Sequence, residues 1–197
     1  MSDEKKGARG RPPAMAAVSH DAIIDATYRL LQEKPMRAVT IEEIARRAGV
    51  GKPTIYKWWP SKAALVIDMF EERIFEKPSD SVSESAEEAI RAQVGTLIRQ
   101  LEGFFGKVTA EIIAECQSDP ELMREYLERY KSHRRAFAVE TVERARQSGE
   151  FKREIESHLL IDMIFGPIYY RFLFKHQPLN QQFGRELVDQ IMVHLKS

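Results

Sequence analysis

The sequence predicts an all-α fold of about nine helices, on three observations. Apolar residues recur at spacings of three and four along most of the 197 residues. No segment alternates apolar and polar residues in the manner of a half-buried strand. Gly, Pro and Ser/Thr/Asp signals fall at the ends of the periodic segments, where helices start and stop. A hydrophobic fraction of 43% beside 30% charged residues is an ordinary globular composition. The longest apolar runs fall well short of the roughly 20 residues that span a membrane. The single cysteine, Cys116, excludes an intramolecular disulfide framework and any multi-cysteine zinc site. The chain opens Met-Ser-Asp-Glu-Lys-Lys with no apolar stretch behind it, so a reducing cytoplasm is the expected compartment and no membrane association is expected.

Residues 1–18 hold Gly7, Gly10, Pro12, Pro13 and four Lys/Arg without a helical period, and read as a flexible basic arm. Ser19 then caps a helix with Ile23, Ala26, Leu30 and Leu31 on its apolar face, ending before Pro35. Thr40 and Glu43 have the spacing of a capping box for a helix over 41–48, and Gly49 stops it. A short helix opens at Gly51-Lys52-Pro53-Thr54 and ends before Pro60. Ser61 caps a helix from Lys62 to about Glu76. The Ser-rich acidic stretch 78–85 reads as a linker, giving a domain over 19–77 and another over 78–197. In the second domain, Ser85 and Glu88 form another capping box, followed by Ile90, Val94, Leu97, Leu101 and Phe104 at helical spacing. A shorter helix carries Val108, Ile112 and Ile113. Asp119-Pro120 starts a long helix that runs through Leu122, Tyr126, Tyr130, Phe137 and Val142 to Ser148-Gly149. Two last helices, about 154–175 and 181–196, flank a His176-Gln177-Pro178 break.

Charge is unevenly distributed. Residues 1–60 carry 11 Lys+Arg and 7 Asp+Glu, net +4; residues 61–120 carry 6 and 12, net −6; residues 121–197 carry 13 and 11, net +2. A polyanion partner at the N-terminal end fits this pattern. Thr40 to Lys62 forms a helix-turn-helix pattern. Lys52, Pro53 and Thr54 begin the second helix, where a cation and backbone N–H groups suit phosphate oxygens and the first turn approaches base edges. Lys62 adds a cation to a helix N-terminus, which the macrodipole disfavours and a phosphate reverses.

The stretch Thr40-Ile41-Glu42-Glu43-Ile44-Ala45, with Ala48-Gly49-Val50-Gly51-Lys52-Pro53-Thr54-Ile55-Tyr56-Lys57-Trp58-Trp59-Pro60-Ser61-Lys62-Ala63-Ala64-Leu65, resembles the signature of TetR-type (tetracycline-repressor-like) transcriptional regulators. The resemblance is dense from about Ser19 to Phe70. Gly51 stands where the family often has Ser, and Pro53 where it often has Gly. Beyond Phe70 only the helical layout and the Gly166–Arg171 stretch are similar. The resemblance implies an N-terminal three-helix DNA-binding domain, a C-terminal helical domain that binds a small effector, and a homodimer on double-stranded operator DNA. Carried over by position, Thr40, Lys52, Thr54, Tyr56 and Lys62 touch phosphates, and Pro53, Lys57 and Trp58 face the groove. In the arm, Arg9-Gly10-Arg11-Pro12 is either a minor-groove hook or a solvated basic tail.

Trp59 is expected in the small N-terminal core, whereas Trp58 reads equally as groove or surface. In the second domain Phe104, Phe105, Ile112, Cys116, Tyr126, Tyr130, Phe137 and Phe165 read singly as core and together as room for an apolar effector pocket, with Gln93, Tyr126 or Tyr130 supplying hydrogen bonds. Gly166-Pro167 is costly inside a helix and calls for a packing reason. Leu160, Ile164, Gly166, Tyr170, Phe174, Leu187, Ile191 and Leu195 are therefore assigned to a four-helix dimer interface. His158 and Asp162 share a helix face without a third ligand nearby, so no metal site is expected. No cofactor is expected, nor catalysis, because the Glu-x-x-His, Gly-x-Ser-x-Gly and His-Glu-x-x-His patterns and phosphate-binding glycine loops are missing. The expected function is a ligand-responsive DNA-binding regulator, most simply a repressor released by a small, largely apolar effector. The alternative is a helical scaffold or carrier that keeps the helix-turn-helix shape without regulating transcription.

Overall fold

The computed structural model describes residues 13–73, 85–128, 132–152 and 155–196. Among these residues the chain forms ten α-helices and one 3-10 turn, with no strand. The chain divides into two units, the first ending at Met69 and the second starting at Phe70. This division falls inside a helix, not in the Ser-rich acidic stretch.

In the first unit α1 (Pro13–Glu33) starts six residues ahead of the expected Ser19 cap. Pro at the first helical position and the Ala-Met-Ala-Ala run behind it favour helix, so Ser19 lies within α1 and is buried. Ile23, Ile24 and Leu31 are fully buried, and the Thr27 hydroxyl donates to Ile23 O at 2.8 Å. A 3-10 turn at Met36–Ala38 leads to α2 (Ile41–Ala48). The Thr40–Glu43 capping box is closed in both directions, and Gly49 ends α2 at φ 66°, in the left-handed region. The short helix α3 (Lys52–Tyr56) buries Ile55, and Trp59 just beyond it is 1% exposed. The Trp59 indole N–H donates to the Asp68 carboxylate, tying the chain after α3 to α4 (Lys62–Arg73). Ser61 caps α4 as expected, its hydroxyl oxygen accepting from Ala64 N at 3.0 Å.

In the second unit α5 (Ala86–Leu101) is the central helix, packed against α6 (Phe104–Cys116), α8 (Ser132–Ser148), α9 (Ser157–Phe174) and α10 (Gln181–Lys196). Ser85 makes its half of the expected capping box, accepting from Glu88 N. Glu150, far along the chain, takes the N–H groups of Ala86 and Glu87 at 2.9 and 3.0 Å. Two glycines permit close approach. A Cβ on Gly184 of α10 would lie 2.6 Å from Ile98 Cδ1, and one on Gly106 would lie 2.0 Å from the Leu101 carbonyl oxygen.

The long helix expected from Asp119 is two helices, α7 (Pro120–Tyr126) and α8, with a π-type turn at Leu127–Glu128. The buried residues explain the split. Leu122 and Tyr126 on α7 and Ala138, Val142 and Ala145 on α8 are all buried. On one straight helix at 100° per residue, the two stripes would point roughly 145° apart, so one unbroken straight helix would not bury both on one side.

Candidate functional site

The candidate DNA-reading surface lies around α3. Gly49 reverses the chain after α2, Gly51 leads into α3 in extended conformation, and Ile55 anchors the short helix from below. The helix carries exposed Lys52, Pro53 and Tyr56 with half-buried Thr54, and the turn just after it carries exposed Lys57 and Trp58. Thr40 is exposed at the start of α2. Arg9 and Arg11 lie outside the described residues.

Three features differ from the sequence-based picture. Pro53 has no N–H, and the Thr54 N–H bonds Gly51 O at 2.9 Å, so α3 offers an anion the Lys52 ammonium more than a backbone cradle. Lys52 already pairs with Glu42, Nζ to Oε1 at 2.8 Å. Lys62 has a structural role: its ammonium donates to Met36 O at 2.9 Å and to Val39 O at 3.1 Å, closing the turn that precedes α2. That leaves one of its three N–H groups for a phosphate. Neither arrangement has a sequence signal, since the partners lie 10, 26 and 23 residues apart on different elements.

Ion pairs hold α2 to the end of α1. Lys34 meets Glu43 at 2.5 Å and Arg47 meets Glu33 at 2.6 Å. The Lys34 hydrogen bond holds the Glu43 carboxyl below its usual range, as Arg47 does for Glu33 and Lys52 for Glu42. Sequence reasoning also missed His20. Its ring lies edge-on to Trp58, centroids 5.2 Å apart, and 4.8 Å from Trp59, bracing the indole that α3 presents to solvent.

In the second unit Ile112 and Cys116 on α6, Phe105 at its start and Tyr126 on α7 are buried. Phe105 stacks on Phe70 with centroids 4.4 Å apart. Phe104, Phe137 and Phe165 are half-buried, and Tyr130 lies outside the described residues. Burial pushes the Cys116 thiol up, with Asp119 and Glu115 adding to the effect, which makes it unreactive. Among the described residues the Gln93 amide nitrogen and the Thr109 hydroxyl are buried without a hydrogen-bond partner. Thr27 and Thr141 satisfy theirs on the preceding helical turn.

Half of the assigned dimer interface is corrected. Leu160, Ile164, Ile191 and Leu195 are 2%, 1%, 8% and 1% exposed within their own chain and belong to its core. Leu187 is half-buried. Gly166, Tyr170 and Phe174 are exposed, and they share α9 with exposed Leu159, Met163 and Leu173. The helix runs through Pro167, and a Cβ on Gly166 would meet nothing within 4 Å. The face shared by His158 and Asp162 is occupied by Arg135, which donates to His158 Nδ1 at 3.1 Å and to Asp162 at 2.7 Å.

A helix-turn-helix with an exposed cationic and aromatic second helix, followed by an all-helical unit, is the layout of a transcriptional regulator. Residues 23–69 match the family model for bacterial regulatory proteins of the tetR family, and residues 83–191 match that for the tetracyclin repressor-like C-terminal domain. The chain belongs to the TetR family of helix-turn-helix transcriptional regulators. It is 38% identical over 180 residues to the uncharacterized HTH-type transcriptional regulator YdeS of Bacillus subtilis, covering 91% of this chain and 90% of that one. Its fold is similar to that of the TetR family transcription regulator SCO0332, with a TM-score of 0.76, 28% identity, and coverage of 90% of this chain and 97% of that one. The fold is also similar to that of FadR from Bacillus subtilis in complex with stearoyl-CoA, with a TM-score of 0.71, 21% identity, and coverage of 89% and 98%. Among the described residues no helix is long and apolar enough to cross a membrane.

Proposed function

We propose that this regulator is a homodimeric repressor that binds operator DNA through the α3 surface and leaves it when a small, largely apolar effector binds the second unit. The observation that carries the reading is the exposure of Lys52, Pro53, Tyr56, Lys57 and Trp58 on a short helix and the turn after it, a segment anchored by buried Ile55 and Trp59. In this reading Thr40, Lys52, Thr54, Tyr56 and the remaining Lys62 N–H meet phosphates, while Pro53, Lys57 and Trp58 face the groove.

The exposed α9 stripe of Leu159, Met163, Gly166, Tyr170, Leu173 and Phe174 supports a second copy as partner. An empty Cβ position at Gly166 gives the helix of that partner room to approach. For the effector, the buried Gln93 amide and Thr109 hydroxyl are groups that a ligand's polar end would satisfy, beside apolar Phe105 and Ile112. FadR, with a similar fold, is in complex with stearoyl-CoA, which supports an effector with a long apolar chain.

The test is fluorescence anisotropy on a duplex taken from upstream of the protein's own gene, with a random duplex as control and sedimentation of the protein alone. One dimer per upstream duplex, tighter binding than to the random duplex, and release by a long-chain acyl-CoA but not by free coenzyme A are expected. Equal affinity for both duplexes would remove the operator-binding role. A monomer in sedimentation would remove the α9 interface.

A further inference from the structure

The reading just given puts a DNA phosphate on Lys52, and in the DNA-free protein an anion is already there. Lys52 Nζ lies 2.8 Å from Glu42 Oε1, and the two side chains are 51% and 63% exposed. The pair faces solvent, so DNA can reach it. Glu42 stands in the first turn of α2, where the helix dipole favours a carboxylate. Its carboxyl is held below the usual range by the Lys52 hydrogen bond first and by its own backbone N–H second.

The other acids of this face have different work. Both Glu43 oxygens accept from Lys34, and Oε2 also accepts from Thr40 N. Glu33 accepts from Arg47 at 2.6 Å. Those pairs join α2 to α1, whereas the Glu42 pair joins α2 to the helix that reads DNA. Arg46 and Lys57 are exposed and hold no ion pair with any described residue. Lys52 is thus a reading-surface cation with an acid attached.

Resting on the DNA-binding reading, we infer that Glu42 limits the DNA affinity of the reading surface: it occupies Lys52 as a built-in phosphate competitor that DNA must displace. Displacement exchanges a carboxylate for a phosphate oxygen on the same ammonium, and it leaves Glu42 charged beside the DNA backbone. Both effects weaken the sequence-independent attraction, which is nearly all electrostatic. Operator binding bears the same penalty while its base contacts are unaffected, so Glu42 lowers the affinity for every duplex and leaves the operator-to-random ratio unchanged.

The experiment compares wild type with Glu42→Gln, which keeps side-chain length and leaves the Thr40–Glu43 box untouched. A fluorescent random-sequence duplex is titrated across a salt series. Glu42→Gln should bind it roughly 3–10-fold more tightly at low salt, with a log–log salt slope steeper by up to about 1.8 per dimer, two phosphates at about 0.9 each. The gain should vanish when Lys52→Met is present in both proteins. Circular dichroism melting identifies a folding defect; if Glu42→Gln is unstable, Glu42→Asp, whose shorter side chain loosens the pair, should give a smaller change in the same direction. An unchanged affinity and slope in a folded variant overturns the inference. So does a gain that persists with Lys52→Met, since it would come from net charge alone. If wild type binds no duplex, the DNA-binding reading falls first and this inference with it.

Discussion

Among the described residues two segments, α3 with the turn after it and α9, present aromatic side chains to solvent, and they differ in how the sequence encodes that. On and just after α3, Tyr56 and Trp58 are 54% and 43% exposed while Ile55 and Trp59 are buried. Glycine, proline and a capping box bracket this short segment, so its register follows from local chemistry. On α9, Tyr170 and Phe174 are 56% and 69% exposed, yet Leu160, Ile164, Ile168 and Phe172 on the same helix are buried. That helix is apolar nearly all round, so its period marks no single inner face. Where polar and apolar residues contrast, sequence assigns a face. Where they do not, packing assigns it.

The largest expected effect tests whether the two units are stable independently. Trp59→Ala removes a fully buried indole and its hydrogen bond to the Asp68 carboxylate, at about 3–5 kcal/mol. Hydrogen exchange should show lost protection through α2 and the start of α4, with α5 and α10 unaffected. Loss of protection in all four would mean that the units unfold as one, and the regional comparison would fail.

A smaller pair of effects sets a glycine needed for its backbone angle against one needed for close approach. Gly106→Ala forces Cβ to 2.0 Å from a backbone oxygen, so it should cost at least the upper end of about 1–3 kcal/mol. Gly49→Ala should cost roughly 1–2 kcal/mol because its φ is 66°, although its Cβ space is open. Asparagine should recover most of the loss at position 49 and none at 106, read as urea midpoints.

The smallest effect is acid sensitivity. In the first unit Glu33, Glu42 and Glu43 all have carboxyls held below the usual 4.5 by hydrogen bonds from Arg47, Lys52 and Lys34. Their folded values lie below the unfolded value. Their stabilisation is therefore present above about pH 4.5 and lost as pH falls through the folded values. Three carboxyls of the second unit behave likewise: Glu87 through Lys196 and then Arg91, Glu121 through Arg124, and Glu156 through the His158 and Leu159 N–H groups. Burial raises Glu125, which has the opposite sign: it costs stability above its folded value and returns it as pH falls. Both tryptophans, Trp58 and Trp59, lie in the first unit, so their fluorescence reports that unit alone. On acid titration its midpoint should come at higher pH than that of far-ultraviolet circular dichroism. Coincident midpoints would erase the difference.

By itself the sequence determined the helical class, the Thr40–Glu43 box, the Gly49 stop, the Ser61 cap and the burial of Trp59. Each rests on residues within a few positions of one another, where backbone hydrogen bonding and helical period act. The early start of α1 was equally local, but the Pro13–Val18 run carries propensity without the usual capping residue. Tertiary structure alone decided the rest. It placed Leu160, Ile164, Ile191 and Leu195 in the core instead of on a partner face, and it split α7 from α8, whose buried stripes are out of phase on one straight helix. It also brought Glu42 to Lys52, Lys62 to the Met36 and Val39 carbonyls, and His20 to the tryptophans. Those contacts join residues 10 to 39 positions apart on separate elements, and no local period or cap encodes which side chains meet once helices pack.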